Sequence, residues 1–146
     1  MIDLHNHLLP GVDDGSRSLK QSLRVLTAFA EQGVTAVCLT PHLLASAAGS
    51  GRPADHDLAF AALLAAAPTT PRLHRGAEIM LDRPLPASVA RQRSVTLTGT
   101  QYVLVEFTRT VTFQTATAAL TNVVDLGLTP VLAHPERYAC CTPDVV

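Results

Sequence analysis

Imidazole and carboxylate side chains recur beside the short apolar runs of this sequence. His5 and His7 stand two residues apart near the start of the chain, and each later apolar run ends beside one such side chain. The later members are His42, Glu78, Glu106 and His134. Imidazole and carboxylate together suit divalent transition metals such as Mn, Fe or Zn, and a shared carboxylate can bridge two ions. These residue types predict a metal centre that activates water for attack at phosphorus.

Each member of this set has an ordinary structural alternative. A pair of histidines two residues apart on a strand is often incidental, and a glutamate after a strand can lie at an exposed edge. His134 is followed by proline and could simply end a loop, while Asp13 and Asp14 are typical of a turn. The joint pattern favours the metal centre. Glu106, directly behind the apolar residues 102–105, is costly to bury unless a positive group holds it.

Arg137 is the cation nearest to this set in sequence. A guanidinium three residues after His134 is placed to bind phosphate oxygens in a forked geometry. The alternative is a surface ion pair, for example with Asp144. We expect the three cysteines to be core or bystander residues, and His56 and His74 to lie at the surface outside the site.

Five strands are predicted to position these side chains. They cover residues 1–9, 34–39, 72–79, 102–107 and 129–133. In the first, alternation would put Asp3, His5 and His7 on one face. Apolar strands that alternate with helical patterns indicate an α/β fold with a parallel sheet covered by helices. The carboxyl ends of such strands form the functional face, so residues distant in sequence converge there.

Helical patterns fill the segments between the strands. One helix begins at Ser18, which forms a capping-box pattern with Gln21, and ends at Gly33. The others cover residues 57–67 and 112–126, with one or two further turns over residues 85–92. The stretch 44–54 is rich in Ala, Ser and Gly, which predicts a flexible loop.

Composition excludes several classes of function. The formal net charge is −1, with 11 basic and 12 acidic side chains, so there is no electrostatic footprint for nucleic acid or an anionic membrane. No apolar run reaches the roughly 18 residues that span a bilayer, and we expect no signal peptide before Asp3. Three cysteines, two of them adjacent, do not make a disulfide framework. We therefore expect one cytoplasmic domain over residues 1–146, without membrane insertion or nucleic-acid partners.

Six short motifs occur in order along nearly the whole chain, from Met1 to Tyr138. They are Asp3-Leu4-His5-Asn6-His7, Leu9-Pro10-Gly11-Val12-Asp13-Asp14-Gly15, Thr40-Pro41-His42, Gly76-Ala77-Glu78-Ile79, Leu104-Val105-Glu106-Phe107 and Ala133-His134-Pro135-Glu136-Arg137-Tyr138. Together they resemble the polymerase-and-histidinol-phosphatase (PHP) superfamily. Within it they are most similar to the bacterial metal-dependent protein tyrosine phosphatases of capsule and exopolysaccharide gene clusters.

The resemblance implies a PHP-type distorted β/α barrel with up to three ions, usually Mn²⁺, with Fe or Zn as alternatives. The implied ligand sets are His5, His7 and Glu78 for one ion, Glu78, Glu106 and His134 for a second, and Asp14 and His42 for the third. Asp13 is an alternative to Asp14. Arg137, which would bind the substrate phosphate, and His134 are the implied catalytic residues. Other superfamily members tend to have His at the positions of Asp14 and Glu106, so the acidic residues point to the tyrosine phosphatase branch.

The implied activity is hydrolysis of phosphotyrosine on a protein by a metal-activated hydroxide. The expected substrate is a bacterial tyrosine kinase of polysaccharide biosynthesis. The alternatives are another phosphoesterase of the superfamily, such as a histidinol-phosphatase-like enzyme, or an inactive remnant that binds metal or the kinase. Family members are longer by about 100 residues and carry a final Asp-x-His motif, as a complete barrel requires. We therefore expect the N-terminal portion of the barrel, with about five of its β/α units, lacking one ligand of the first ion and one of the third.

Overall fold

Two parallel sheets form the centre of the computed structural model, which describes residues 1–141. The first sheet has the order β1-β2-β4 and contains β1 (Ile2–Asp3), β2 (Ala36–Leu39) and β4 (Arg72–Arg75). The second has the order β3-β5-β6-β7 and contains β3 (His42–Leu44), β5 (Glu78–Met80), β6 (Tyr102–Glu106) and β7 (Thr129–Leu132). All paired strands are parallel. This architecture confirms the predicted α/β class.

Helices connect the strands of both sheets. They are α1 (Leu19–Glu31), α2 (Ala45–Ala48), α3 (Ala54–Ala66), α4 (Ala87–Gln92) and α5 (Phe113–Asp125). Helix α1 begins where the sequence predicts, because the Ser18 hydroxyl accepts a hydrogen bond from the Gln21 backbone N–H at 3.2 Å. Thr112 caps α5 in the same way through the Thr115 N–H. None of the helices within residues 1–141 has the length and apolar character that a membrane crossing requires.

The structure has seven strands within residues 1–141 where the sequence predicts five. The predicted strand 72–79 is wrong as a single strand, because the chain passes from the first sheet to the second at Gly76. A Cβ at this position would lie 3.0 Å from Cys38 Sγ, so glycine fits this close approach. The same transition between β2 and β3 occurs at Pro41, which has no N–H to continue a ladder. Residue 42, predicted in a polar loop, therefore begins a strand.

Other segments also differ from their sequence-based prediction. The predicted strand 1–9 ends at Asp3, because Asp3 Oδ1 accepts the His5 N–H in a local turn. The predicted flexible loop 44–54 contains α2, which is held by a hydrogen bond from the Ser46 N–H to Asp82 Oδ1. His56 is buried, not at the surface, because it lies on the same face of α3 as the core residue Leu63.

Side chains alternate along the strands of the second sheet, so its core residues and its predicted metal ligands lie on opposite faces. Leu43 of β3, Ile79 of β5 and Val105 of β6 pack into one apolar cluster with residues of the surrounding helices. Their neighbours in sequence therefore point to the opposite face of the sheet. Those neighbours include His42, Glu78 and Glu106. The apolar cluster thus fixes the direction in which three of the predicted metal ligands face.

Candidate metal centre

The predicted site residues line one cavity of about 340 Å³. His5 and His7 follow β1, His42 and Glu78 begin β3 and β5, Glu106 ends β6, and His134 follows β7. The cavity is lined by His5, His7, Asp14, His42, Glu78, Glu106, His134 and Arg137. Residues separated by up to 132 positions in sequence therefore meet at one end of the sheets.

Glu78 lies at the centre of this cavity and is 1% exposed. Its Oε1 is 3.0 Å from His5 Nε2 and 3.0 Å from His134 Nε2. Its Oε2 is 3.1 Å from His7 Nε2 and 3.3 Å from His42 Nδ1. Four imidazoles thus meet on one buried carboxylate, which matches the geometry expected of a bridging ligand.

Glu106 shares two of these imidazoles with Glu78. Its Oε1 lies 2.9 Å from His42 Nδ1, and its Oε2 lies 3.3 Å from His134 Nε2. Glu106 is 6% exposed, so a second carboxylate is buried in the same place. Asp14 stands at the rim, with its Oδ1 3.4 Å from His42 Nε2 and its side chain open to solvent.

Three overlapping groups of donor atoms are close enough to hold metal ions. They are His5, His7 and Glu78; His7, Asp14 and His42; and His42, Glu78 and Glu106. Within each group the donor atoms lie within 4.8 Å of one another. Because the groups share members, neighbouring ions could share a carboxylate or stand on adjacent histidines.

The charge balance of the site fits divalent cations. Within residues 1–141, the ion-pair partners of Glu78 and Glu106 are histidines alone. Burial opposes ionisation of Glu78, but hydrogen bonds with His5 and His7 outweigh it and hold the pKa of this carboxyl well below its usual range. Two buried carboxyl groups are therefore paired with histidines and with no arginine or lysine of residues 1–141, and divalent cations bound at the same side chains would balance their charge.

His7 and His42 each direct both ring nitrogens toward carboxylates. His7 Nδ1 lies 2.8 Å from Asp13 Oδ2, while its Nε2 faces Glu78. A neutral imidazole has only one N–H, so a proton or a metal ion must occupy the other side. Hydrogen bonds with Asp13 and then Glu78 accordingly raise the pKa of His7 to about 10. The hydrogen bond with Glu106 likewise raises the pKa of His42.

Comparison with known proteins places this chain in a family. The family model for capsular polysaccharide synthesis proteins of the CpsB/CapC type matches residues 1–146. The chain belongs to the CpsB/CapC family. This finding confirms the family to which the six motifs point.

Relatives of this CpsB/CapC chain have been named as phosphatases. Tyrosine-protein phosphatase CpsB of Streptococcus pneumoniae is 29% identical over 140 residues, which are 94% of this chain and 58% of that protein. Tyrosine-protein phosphatase YwqE of Bacillus subtilis is 29% identical over 143 residues, 94% of this chain and 55% of that protein. The chain therefore spans a little over half the length of these relatives.

A solved structure supports the same placement. The crystal structures of YwqE from Bacillus subtilis and CpsB from Streptococcus pneumoniae, described as metal-dependent tyrosine phosphatases, include a chain that matches with a TM-score of 0.71. That match has 27% sequence identity and covers 94% of this chain and 57% of the solved one. The two parallel sheets thus correspond to part of the fold of these proteins, as the predicted partial barrel requires.

Asp13 and Asp14 take different places in this CpsB/CapC family member. Asp14 lines the cavity, whereas Asp13 lies behind His7 and accepts hydrogen bonds from the backbone N–H groups of Gly15 and His42. The turn is tight, because a Cβ at Gly15 would lie 2.2 Å from the His7 carbonyl oxygen. Asp13 therefore orients an imidazole, and Asp14 is the better candidate ligand.

Tyr138 contacts the site through His134, a role that sequence reasoning missed. Its hydroxyl lies 3.2 Å from His134 Nδ1 and accepts a hydrogen bond from the Phe107 N–H at 3.1 Å. The ring is 1% exposed. His134 itself has a left-handed backbone with φ of 30°, which is unfavourable for a residue other than glycine. Anchoring of Tyr138 on Phe107 helps to hold this turn in place. A tyrosine four residues after a ligand-type histidine was the signal that the sequence offered.

Arg137 reaches the cavity from the short 3₁₀ turn Pro135–Arg137. It is exposed, and the arginine ion pairs within residues 1–141 join Arg52 and Arg75 to Asp57. Asp144, the alternative partner of Arg137, lies outside the described residues. Among residues 1–141 no carboxylate pairs with the Arg137 guanidinium, which lines the cavity in which the imidazoles and carboxylates meet.

Proposed function

We propose that this protein hydrolyses phosphotyrosine on a protein substrate, using divalent metal ions held in the cavity around Glu78. The substrate we propose is a bacterial tyrosine kinase of polysaccharide biosynthesis, met in the cytoplasm. The observation that carries the proposal is the convergence of four imidazoles on one buried carboxylate, with Arg137 at the same cavity. The names of CpsB and YwqE as tyrosine-protein phosphatases support phosphotyrosine on a protein as the substrate class.

The ligand sets that we propose follow the contacts of the site. One contains His5, His7 and Glu78, a second contains Glu78, Glu106 and His134, and a third contains Asp14 and His42. Nitrogen and oxygen donors of this kind suit Mn²⁺, with Fe or Zn as alternatives. When bound, such ions supply an activated water and neutralise charge on the phosphoryl group.

The side chains of the protein have separate tasks in this proposal. Arg137 binds two phosphate oxygens and orients the phosphoryl group for in-line attack. Glu78 and Glu106 hold the imidazoles in one arrangement. His134 presents its Nε2 to both carboxylates, while the Tyr138 hydroxyl fixes the opposite side of the ring.

Removal of metal, and not of thiols, should abolish activity. We expect a chelator to stop hydrolysis of a phosphotyrosine peptide and added Mn²⁺ to restore it. A variant with Cys38→Ala, Cys140→Ser and Cys141→Ser should keep its activity, because burial raises the pKa of Cys38 to about 11 and keeps it protonated. The rate of phosphate release from a phosphotyrosine peptide measures both effects. A folded triple variant without activity would instead indicate covalent thiol catalysis.

Loss of the Tyr138 hydroxyl should weaken metal binding. We expect Tyr138→Phe to lower Mn²⁺ affinity by roughly tenfold, because the second nitrogen of His134 loses its hydrogen-bond partner. Competition with a chromophoric chelator gives the affinity. Tyr102→Phe is the matched control, since Tyr102 is half-exposed at the start of β6 and is the other tyrosine of the chain. Equal Mn²⁺ affinities for the two variants would contradict a role of Tyr138 in metal binding.

A further inference from the structure

Two apolar side chains stand on the same face of the sheet as the metal-ligand candidates. In the parallel register, His42 pairs with Glu78 and Leu44 with Met80, while Met80 pairs with Glu106. Because side chains alternate along a strand, Leu44 and Met80 follow His42 and Glu78 on the cavity face, two residues farther along each strand. Leu44 is 51% exposed, so its apolar surface is open beside the metal centre.

A second cavity covers these side chains and adjoins the first. It has a volume of about 370 Å³ and is lined by His42, Leu43, Leu44, Met80 and Glu106. His42 and Glu106 line both cavities. The polar cavity with its histidines and carboxylates therefore adjoins a second cavity, lined by Leu43, Leu44 and Met80, at His42 and Glu106.

We propose that Leu44 and Met80 form the subsite for the aromatic ring of an aryl phosphate substrate. This inference rests on the proposed phosphatase function and assigns the residues that select its substrate class. In phosphotyrosine a single ester oxygen joins phosphorus to the ring, so a phosphate beside Arg137 and the histidines leaves the ring in the neighbouring space. Leucine and the polarisable thioether of methionine both favour contact with an aromatic ring.

The same geometry disfavours alkyl phosphates. A phosphoserine side chain carries only one methylene beyond its ester oxygen and could cover little of Leu44. Its binding would leave the apolar surface in water. Selection by Leu44 and Met80 should therefore act on the binding of the ring, and hence on KM, with little effect on kcat.

The kinetic test compares Leu44→Ser with Leu58→Ser in the Mn²⁺-supplied protein. Leu58 is exposed on α3 and lines neither of the two cavities. We expect Leu44→Ser to lower kcat/KM for 4-nitrophenyl phosphate about tenfold by raising KM. The kcat/KM for glycerol phosphate should stay unchanged. An equal fall for both substrates, or no fall, would overturn the subsite. A wild-type protein that hydrolyses neither ester would count against the proposed function itself.

A binding test separates the subsite from turnover. Met1 and Met80 are the two methionines of the chain, so ¹³C-methyl labelling gives one reporter in the subsite and one at the exposed N-terminus. With Zn²⁺ in place of paramagnetic Mn²⁺, phenylphosphonate should shift the Met80 methyl signal by the ring current, and methylphosphonate should shift it much less. The Met1 signal should stay in place. Saturating phenylphosphonate that leaves Met80 unmoved would place the ring elsewhere and overturn the proposal, whatever the activity.

Discussion

Replacement of Glu78 by glutamine should lower Mn²⁺ affinity by about 100-fold or more, beyond the loss expected for a residue that only supports a ligand. The amide keeps the shape of the side chain but removes the negative charge on which His5, His7, His42 and His134 converge. It also directs an NH₂ group at imidazole nitrogens that a carboxylate would face as an acceptor. Two of the proposed ligand sets contain Glu78, so both should lose affinity together.

Glu136→Gln provides the matched control for this experiment. Glu136 carries the same charge in the exposed turn next to His134, and it does not line the cavity. Competition with a chromophoric chelator should show near-normal Mn²⁺ affinity for Glu136→Gln. Glu136→Gln should likewise hydrolyse a phosphotyrosine peptide at a near-normal rate, and Glu78→Gln should not. If both variants lost the same Mn²⁺ affinity, the loss would reflect only the change in net charge. That result would contradict the assignment of Glu78 as a bridging ligand.

Local patterns were sufficient to predict most elements of the fold. The hydroxyls of Ser18 and Thr112 cap α1 and α5, and apolar strands alternate with helices as a parallel sheet requires. The transitions between the two sheets could not be predicted in this way. They depend on the packing of Gly76 against Cys38 and on the end of a ladder at Pro41, and neither leaves a periodic signal.

The candidate site, like the fold, could be predicted from the sequence only in part. The residue types of His42, Glu78 and Glu106 could be predicted from their places beside apolar runs, because burial restricts where a carboxylate can stand. Only Glu106 ends its strand, however, whereas His42 and Glu78 begin β3 and β5. The choice between Asp13 and Asp14 depends on a turn in which adjacent residues point in different directions, so sequence spacing cannot separate them. The contact of Tyr138 with His134 spans a turn in which the backbone of His134 is left-handed, and the spacing of the two residues does not predict that conformation.

Replacement of Arg137 by alanine should lower kcat/KM for a phosphotyrosine peptide by roughly 100- to 1000-fold, the usual effect of removing one group that stabilises transition-state charge. Arg137 lines the cavity, and among residues 1–141 its guanidinium has no ion-pair partner that the substitution would disrupt. Arginine has no acceptor atoms and cannot ligate a metal, so Mn²⁺ affinity should stay unchanged. Arg137→Lys should recover only part of the activity, because an ammonium keeps the charge but not the forked geometry.

Two further measurements separate binding of phosphate from a general effect of charge. Inhibition by inorganic phosphate should weaken in Arg137→Ala in parallel with the loss of kcat/KM, since the same oxygens are bound. Arg91→Ala removes an exposed arginine on α4 that does not line the cavity, and it should alter neither quantity. A fall in Mn²⁺ affinity that accounts for the whole activity loss of Arg137→Ala would contradict the phosphate-binding role. Arg137 would then act by holding the turn that carries His134, because that turn ends at Arg137.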